Sequence, residues 1–468
     1  MREPSTLFAL TPFALAAFAV GAALAGFLPQ IFNDADTWWH LAAGDWIFAH
    51  RAVPTHDIFT YTFAGTPWSA HEWLSEILMA AAFAAGGWAG LHILFALALG
   101  VTAATVAGAL GRRMDFIPAL LVSVLGLACV AGGLLARPHV LALPMLAIWT
   151  SGLVDARERG TAPPLWLAAA MLAWANLHGS FAFGLALAMA LGAEAAVTER
   201  GRAAKAWAVF IAISILAALI NPQGLEGLLF PVRLLAMPGL ATIGEWAPSN
   251  FSHPTPFLFA LLGMILVLAT GKLRVPLSRA VLIAALVYLS LSHARHVMLF
   301  AVAAPLLAAP ALGAAWPAKH QDSPRWLLPV LAALPLALLA ARLALPAARG
   351  EDRVTPLAAL AHVPAGLRAQ PVLNAYDYGG YLIHQGVKVF IDGRTDMYPA
   401  DFMKNDDRLA AGDAGAMAAT VARYRAAWTI YPSGSRSAAA LDRLPGWHRL
   451  YADANAVIHV RDQPPPPG

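Results

Sequence analysis

What most constrains this chain is a series of long, almost uninterrupted apolar runs. They fall at roughly 7–29, 88–110, 115–135, 138–154, 163–177, 180–197, 206–221, 256–270, 279–292, 296–314 and 326–346. A bilayer core of about 30 Å is crossed by about 20 apolar residues of helix, so the runs predict a mainly α, polytopic membrane bundle of about eleven spans. Composition agrees, because 59% of the 468 residues are hydrophobic and only 12% are charged, too few charges to cover a soluble surface. Leu7 to Pro29, following Arg2, is too long for a signal peptide and reads as the first span. The pI of 9.3 rests on a formal charge of only +4. With the basic residues scattered over loops, no nucleic-acid patch forms. The single cysteine, Cys129, lies in an apolar run, so disulfides play no part.

The run 73–86 is the ambiguous one. It holds Glu76, ends at Gly86-Gly87 and falls short of the core thickness. Charge decides its placement. If it does not cross and the N-terminus is cytoplasmic, the inner loops carry Arg112, Arg113, Arg157, Arg159, Arg200, Arg202, Lys205, Lys272, Arg274, Arg279, Lys319 and Arg325. The outer loops before the C-terminal domain then carry only Arg51, Arg137, Arg233 and Arg295, as positive-inside bias requires. Residues 73–86 are therefore expected as a helix lying at the outer interface. The polar segments now share the outer side: 33–40, 71–73, 137–139, 176–178, 221–246 and 293–296. Chemistry is expected there and not at membrane depth, because the spans are almost free of charge.

The chain divides into a bundle over 1–346, which includes an outer loop at 30–87, an outer α/β domain over 347–462, and a disordered tail over 463–468. In the loop, 37–50 reads as an amphipathic helix with Trp38, Trp39, Leu41 and Trp46 at headgroup level. Asp57 to Thr62 reads as extended and turn-like. In the terminal domain Val372–Ala375, Lys388–Ile391, Ala427–Tyr431 and Ala456–Val460 read as strands with helices between them.

Several constellations stand out. Asp34 and Asp36, just after the first span, suit a general base or a divalent metal; the alternative is a solvated cap for the helix that follows. Trp38-Trp39-His40 is by default an interfacial aromatic belt, although His40 adds a metal or substrate ligand beside Asp36. His71-Glu72 opens a helix without the H-E-x-x-H zinc pattern. Its carboxylate serves either catalysis or the helix dipole. Arg137 with His139, and Arg295 with His296, suit phosphate oxygens, or else snorkel to headgroups. Asn176, His178 and Glu245 complete the outer-face polar set. Asp392, Arg394 and Asp396 read as a turn between strand and helix, or as an acceptor contact.

A first span, an outer Asp-x-Asp, further spans and a terminal outer domain together resemble the GT-C superfamily of membrane glycosyltransferases. That superfamily includes the protein O-mannosyltransferases and the lipid A aminoarabinose transferase. The strings Asp34-Ala35-Asp36-Thr37-Trp38-Trp39-His40-Leu41, Pro67-Trp68, His71-Glu72-Trp73-Leu74, Asn176-Leu177-His178-Gly179, Asn221-Pro222-Gln223-Gly224, Glu245-Trp246 and Val389-Phe390-Ile391-Asp392-Gly393-Arg394 look like those of a bacterial branch.

The resemblance implies a multi-pass protein of the bacterial inner membrane, serving the cell envelope, with its C-terminal domain periplasmic or extracellular. It implies a polyprenyl-phosphate-linked sugar as donor and a lipid, glycan or protein as acceptor. An acid of the first outer loop would be the base or a metal ligand, a role carried onto Asp34 and Asp36. Asp34 is expected as the base of an inverting displacement, with Glu72 as a further catalytic acid and Asp36 with His40 as ligands of Mg or Mn. The substrate-binding set expected from the residues is His40, His71, Arg137, His139, Asn176, His178, Glu245, Arg295 and His296. A membrane acyl- or phosphotransferase with a lipid donor is the alternative, as is a lipid or sugar transporter. A transporter should show broken or polar spans at mid-depth.

Overall fold

The computed structural model describes residues 11–199, 201–235, 237, 244–319, 324 and 326–462. Arg2, Leu7 to Leu10, Arg200, the stretch 238–243, Arg325 and the tail 463–468 lie outside the described residues. The chain forms two compact units, Met1–Leu28 with Ala89–Ala347, and Pro29–Trp88 with Ala348–Gly468. The loop 30–87, grouped with the bundle by sequence, therefore packs with the C-terminal domain.

In the first unit each apolar run forms a helix. Among the described residues of the chain, five helices are long and apolar enough to cross a membrane: Trp73–Gly111, Pro138–Glu158, Phe181–Thr198, Ala294–Ala315 and Leu327–Ala344. Six shorter apolar helices lie at Pro12–Phe27, Phe116–Ala131, Trp166–Leu177, Ala203–Leu219, Pro256–Ala269 and Leu277–Ser292. Local chemistry sets their starts. Thr11 and Thr255 each accept a backbone N–H of the first turn, from Ala14 and Leu258, and each is followed by a proline. That proline has no N–H to leave unsatisfied. The helix over 297–315 sits at the centre, against 138–158, 116–131 and 277–292, with Phe300, Val302, Leu306 and Leu307 buried. Helix 12–27 packs on 327–344. Its terminal carbonyls are taken by His92, whose Nδ1 is 2.9 Å from Ala25 O, and by Arg342 Nη1, 3.3 Å from Gly26 O.

Charge gathers at opposite ends of these helices. At one end Asp155 pairs with Arg113, and with Arg112 at 3.8 Å. There also Arg157 pairs with Glu199, and with Glu194 at 3.2 Å. Arg279 meets Glu158 at 2.7 Å and Glu194 at 3.6 Å. At the other end of helix 138–158 stands Arg137, and at the other end of helix 277–292 stand His293 and Arg295. Arg137 and Asp155 are 18 residues apart along helix 138–158, so about 27 Å separates the two charged layers, close to the thickness of a bilayer core.

The second unit holds a four-stranded sheet of order β1-β2-β4-β3, with β1 at Val372–Asn374, β2 at Trp428–Pro432, β3 at Trp447–Ala452 and β4 at Ala456–Arg461. β1 runs parallel to β2, with Leu373 opposite Thr429. β2 and β3 flank β4 antiparallel, with Ile430 opposite Ile458 and His448 opposite Val460. Leu373, Phe390, Leu409, Met417, Leu441 and Val457 form its core, joined by Tyr61 and Phe63 from the loop. The expected strand at 388–391 lies outside the sheet. Its Val389 exchanges backbone hydrogen bonds with Phe59 and Tyr61, so loop 57–63 is its partner. β3, unforeseen, is an edge strand whose His448, Arg449 and Leu450 are exposed.

Helix 36–50 is present, but Trp38, Trp39 and Leu41 are buried against the short helix Gly379–His384 and their other neighbours in this unit. Its apolar face is thus a protein contact, which corrects the headgroup reading for these three residues. The helix from Trp73 breaks at Gly86 and Gly87, where Gly87 has φ +55°, a conformation glycine adopts without a Cβ penalty.

Candidate functional site

The acid-rich candidates gather in the second unit. Asp36, His40 and Gly44 recur every four residues on helix 36–50 and so share one face. A β-carbon at Gly44 would fall 2.2 Å from the Glu76 carbonyl oxygen. That close crossing brings the helix from Trp73 against this face, with Glu72 and Glu76 beside His40. His40 Nδ1 lies 3.4 Å from Glu76 Oε1, and Nε2 lies 4.0 Å from Glu72 Oε2. The Trp39 and His40 rings are 3.6 Å apart between centroids. His71 Nε2 approaches Glu72 Oε1 at 3.7 Å. Glu76 is 1% exposed and its Oε2 has no hydrogen-bond partner. Buried carboxylates held this way are expensive and need a compensating reason.

The turn after Ile391 closes on the same face. A β-carbon at Gly393 would fall 1.8 Å from Asp36 Oδ1, so only glycine lets this backbone lie on the Asp36 carboxylate. Arg394 anchors the turn. Its Nε and Nη2 donate to the two Asp392 oxygens at 2.8 and 2.7 Å, and Nη1 meets Asp57 Oδ1 at 2.8 Å. Its guanidinium lies over Trp68 at 4.5 Å and Phe59 at 4.9 Å. Tyr398 donates to Asp392 Oδ2 at 2.9 Å. Burial weighs against the Arg394 charge, but Asp392 beside it outweighs this and holds the pKa above its ordinary value. Burial raises the Asp396 carboxyl, against the opposing pull of His71 and Arg394.

Asp34 has a different task. Its Oδ2 accepts both the Thr37 N–H at 3.0 Å and the Thr37 hydroxyl at 3.1 Å, which is capping of its own helix. Arg349 donates from Nη2 to the Asp34 carbonyl at 3.2 Å and lies over Trp38 at 5.1 Å.

The cationic candidates gather in the first unit. Glu245 bridges two arginines, with Oε2 3.3 Å from Arg137 Nη1 and Oε1 3.1 Å from Arg295 Nη1. Arg295 stacks on Trp246 at 4.2 Å, and His293 Nδ1 is 2.7 Å from the Trp246 carbonyl. His296 adjoins Trp246 at 5.9 Å between rings. His139 faces His178 at 6.3 Å and is within electrostatic reach of Arg137, Glu245 and Arg295. His178 Nδ1 accepts the Ser180 N–H at 3.0 Å, so the ring proton sits on Nε2. Asn176 is structural in its contacts, donating to Leu172 O and Ile220 O at 2.8 and 2.9 Å.

The expected site residues thus form two groups: Asp34, Asp36, His40, His71 and Glu72 in one unit, and Arg137, His139, Asn176, His178, Glu245, Arg295 and His296 in the other. Asp392, Arg394 and Asp396, read from the sequence as a turn or an acceptor contact, join the first group, as do Asp57, Glu76 and Arg349, which were not expected there. The four-residue step from Glu72 to Glu76 was visible in the sequence, whereas the pairing of Asp57 with Arg394 is long-range and left no local signal. Among the described residues no group of three or more His, Cys, Asp or Glu side chains converges to hold a metal ion. No family model and no curated protein matches this chain.

Proposed function

We propose that the chain is a GT-C-like membrane glycosyltransferase of the bacterial inner membrane with eleven spans. The N-terminus is cytoplasmic and the sheet-containing unit faces the periplasm. It takes a sugar from a polyprenyl-phosphate donor. The observation that carries the reading is the Asp36 carboxylate, pressed against the Gly393 backbone and one helical turn from His40, which Glu72 and Glu76 flank. In this reading an acceptor hydroxyl gives its proton to Asp36 as its oxygen bonds to the anomeric carbon. The bond from that carbon to the phosphate oxygen breaks, its electron pair leaves with the polyprenyl phosphate, and the configuration inverts.

Asp36 is preferred to Asp34 as base because it shares a helix face with His40 and lies on the Gly393 backbone, whereas Asp34 Oδ2 accepts the Thr37 N–H and hydroxyl as a cap. His40 and Glu72 hold the surrounding charge in a dry environment, where fixed dipoles act more strongly than in water.

The test is transfer of a labelled sugar from polyprenyl phosphate by purified protein in nanodiscs. Asp36→Asn should lower turnover by about a hundredfold or more with donor binding intact. Near-normal transfer by that variant would remove Asp36 as base. A wild-type protein that consumes an acyl or phosphoryl donor and no sugar donor would replace the reading.

A further inference from the structure

We propose that Arg137, Glu245 and Arg295 form an anion site that the chain occupies with its own carboxylate, and that a phosphate ester takes the place of Glu245. Two guanidinium groups on opposite oxygens of one carboxylate form the fork that arginines present to any oxyanion. Here the two contacts are 3.3 and 3.1 Å.

Arg295 is held by a group other than Glu245. Arg295 lies on Trp246 at 4.2 Å, a contact that holds guanidinium independently of any anion. Trp246 is buried, and its carbonyl is engaged by His293. Arg137 immediately precedes helix 138–158, which sets the position of its backbone. Glu245 sits on a three-residue helical turn, Gly244–Trp246, and is the most exposed of the three side chains. The exposures are 34% for Glu245, 25% for Arg295 and 21% for Arg137, so the carboxylate can swing into solvent while the forks remain. A tetrahedral phosphate offers more oxygens and more charge than the carboxylate it displaces. The His139 ring lies within electrostatic reach of Arg137, Glu245 and Arg295.

The site deepens the donor reading, because a polyprenyl phosphate carries such a group, but it rests on that reading only for the identity of the lipid. The experiment is equilibrium binding of inorganic phosphate and of dodecyl phosphate to the full-length protein in a non-ionic, phosphate-free detergent, with dodecanol as control. Glu245→Gln should bind phosphate about tenfold more tightly than wild type, because the internal competitor is gone, and Arg137→Gln with Arg295→Gln should abolish binding. Arg295→Lys, which keeps the charge but loses the fork, should recover part of it. A purely structural ion pair predicts no tightening in Glu245→Gln, and that result in a protein with wild-type thermal unfolding would overturn the proposal. If Glu245→Gln does not fold, wild-type binding by the double arginine variant overturns it equally. Preference for dodecyl phosphate identifies a lipid headgroup, and equal binding identifies free phosphate; both support an anion site. Phosphate binding without sugar transfer would leave this site standing and remove the glycosyltransferase reading. Transfer that survives loss of both arginines would do the reverse.

Discussion

The two charged clusters differ most in their access to water. In the second unit Arg394, Asp392 and Asp57 have no exposed side-chain surface, and Glu76 is nearly as buried. In the first unit Arg137, Glu245 and Arg295 remain a fifth to a third exposed. The sealed charges are locked by multiple bonds and aromatic faces, so they fix geometry. Partly exposed charges exchange partners at low cost, because solvent compensates each broken pair. One cluster is therefore built to position groups and the other to trade them.

The sharpest way to break this contrast is to delete one arginine from each cluster. Arg394→Met leaves Asp392 and Asp57 buried without their cation, which should destabilise the protein by about 3–5 kcal/mol. Arg295→Met should cost about 1 kcal/mol or less. Chemical unfolding followed by protease resistance of the 348–462 segment, beside apparent Tm, measures both. Equal losses would mean that burial is not what separates the clusters. Adding Asp57→Asn and Asp392→Asn to Arg394→Met should restore part of the loss, since the stranded charges are then gone.

Close packing gives the next largest effect. An alanine methyl at Gly393 meets the Asp36 carboxylate at 1.8 Å, and overpacking of this kind costs about 1–3 kcal/mol. If Asp36 is the base, transfer by Gly393→Ala should fall well beyond what that instability explains, through kcat more than KM. Gly350→Ala is the control, because its β-carbon would meet nothing within 4 Å. Equal behaviour of the two variants would detach the 392–396 turn from the site.

Sealing charge also has a pH signature. Burial, with Asp407 and Asp377 nearby, pushes the Asp406 carboxyl up to about 7 from its ordinary 3.8. The folded state thus holds this proton more tightly than the unfolded chain. The resulting stability is fully present below pH about 4 and is lost as pH rises through about 7. Apparent Tm should fall between pH 5 and 8, and Asp406→Asn should flatten that slope. A slope unchanged in the variant would assign it to other groups.

Much of the fold was legible because a membrane-length apolar run leaves little choice but helix. The terminal strands were legible where the run was short and buried, as at Val372 and Ala456. What failed has physical reasons. Trp38, Trp39 and Leu41 make the same amphipathic face whether lipid or protein covers it, so sequence cannot choose between them. Val389 reads as strand because it is extended, but propensity does not name the partner, which proved to be Phe59 and Tyr61. β3 escaped notice because an edge strand with exposed His448 and Arg449 carries no apolar alternation. In the first unit, Arg137 beside Pro138 and Arg295 at a helix end were visible as polar candidates. The bond between Arg394 and Asp57 was not, since nothing local marks a long-range ion pair.

The smallest predicted effect separates the two aspartates, of which the sequence reading takes Asp34 as the base. Asp34 and Asp36 are equivalent as a D-x-D string, yet Asp34 Oδ2 takes the Thr37 N–H and hydroxyl, while Asp36 lies on the Gly393 backbone. Removing a helix cap costs about 1 kcal/mol, and replacing it by another capping side chain costs a few tenths. Asp34→Ala should therefore lower stability by about 1 kcal/mol, Asp34→Asn by less, and both should keep transfer within about threefold of wild type, a margin consistent with uniform loss of folded protein. Asp36→Asn should show the opposite pattern, with stability nearly unchanged and turnover lost. If Asp34→Asn abolishes transfer with the helix intact by circular dichroism, the cap is incidental and Asp34 returns as the base. The outer carboxylate would then be the positioning group, and the contrast between fixed and exchangeable charge would have to be redrawn inside this one turn.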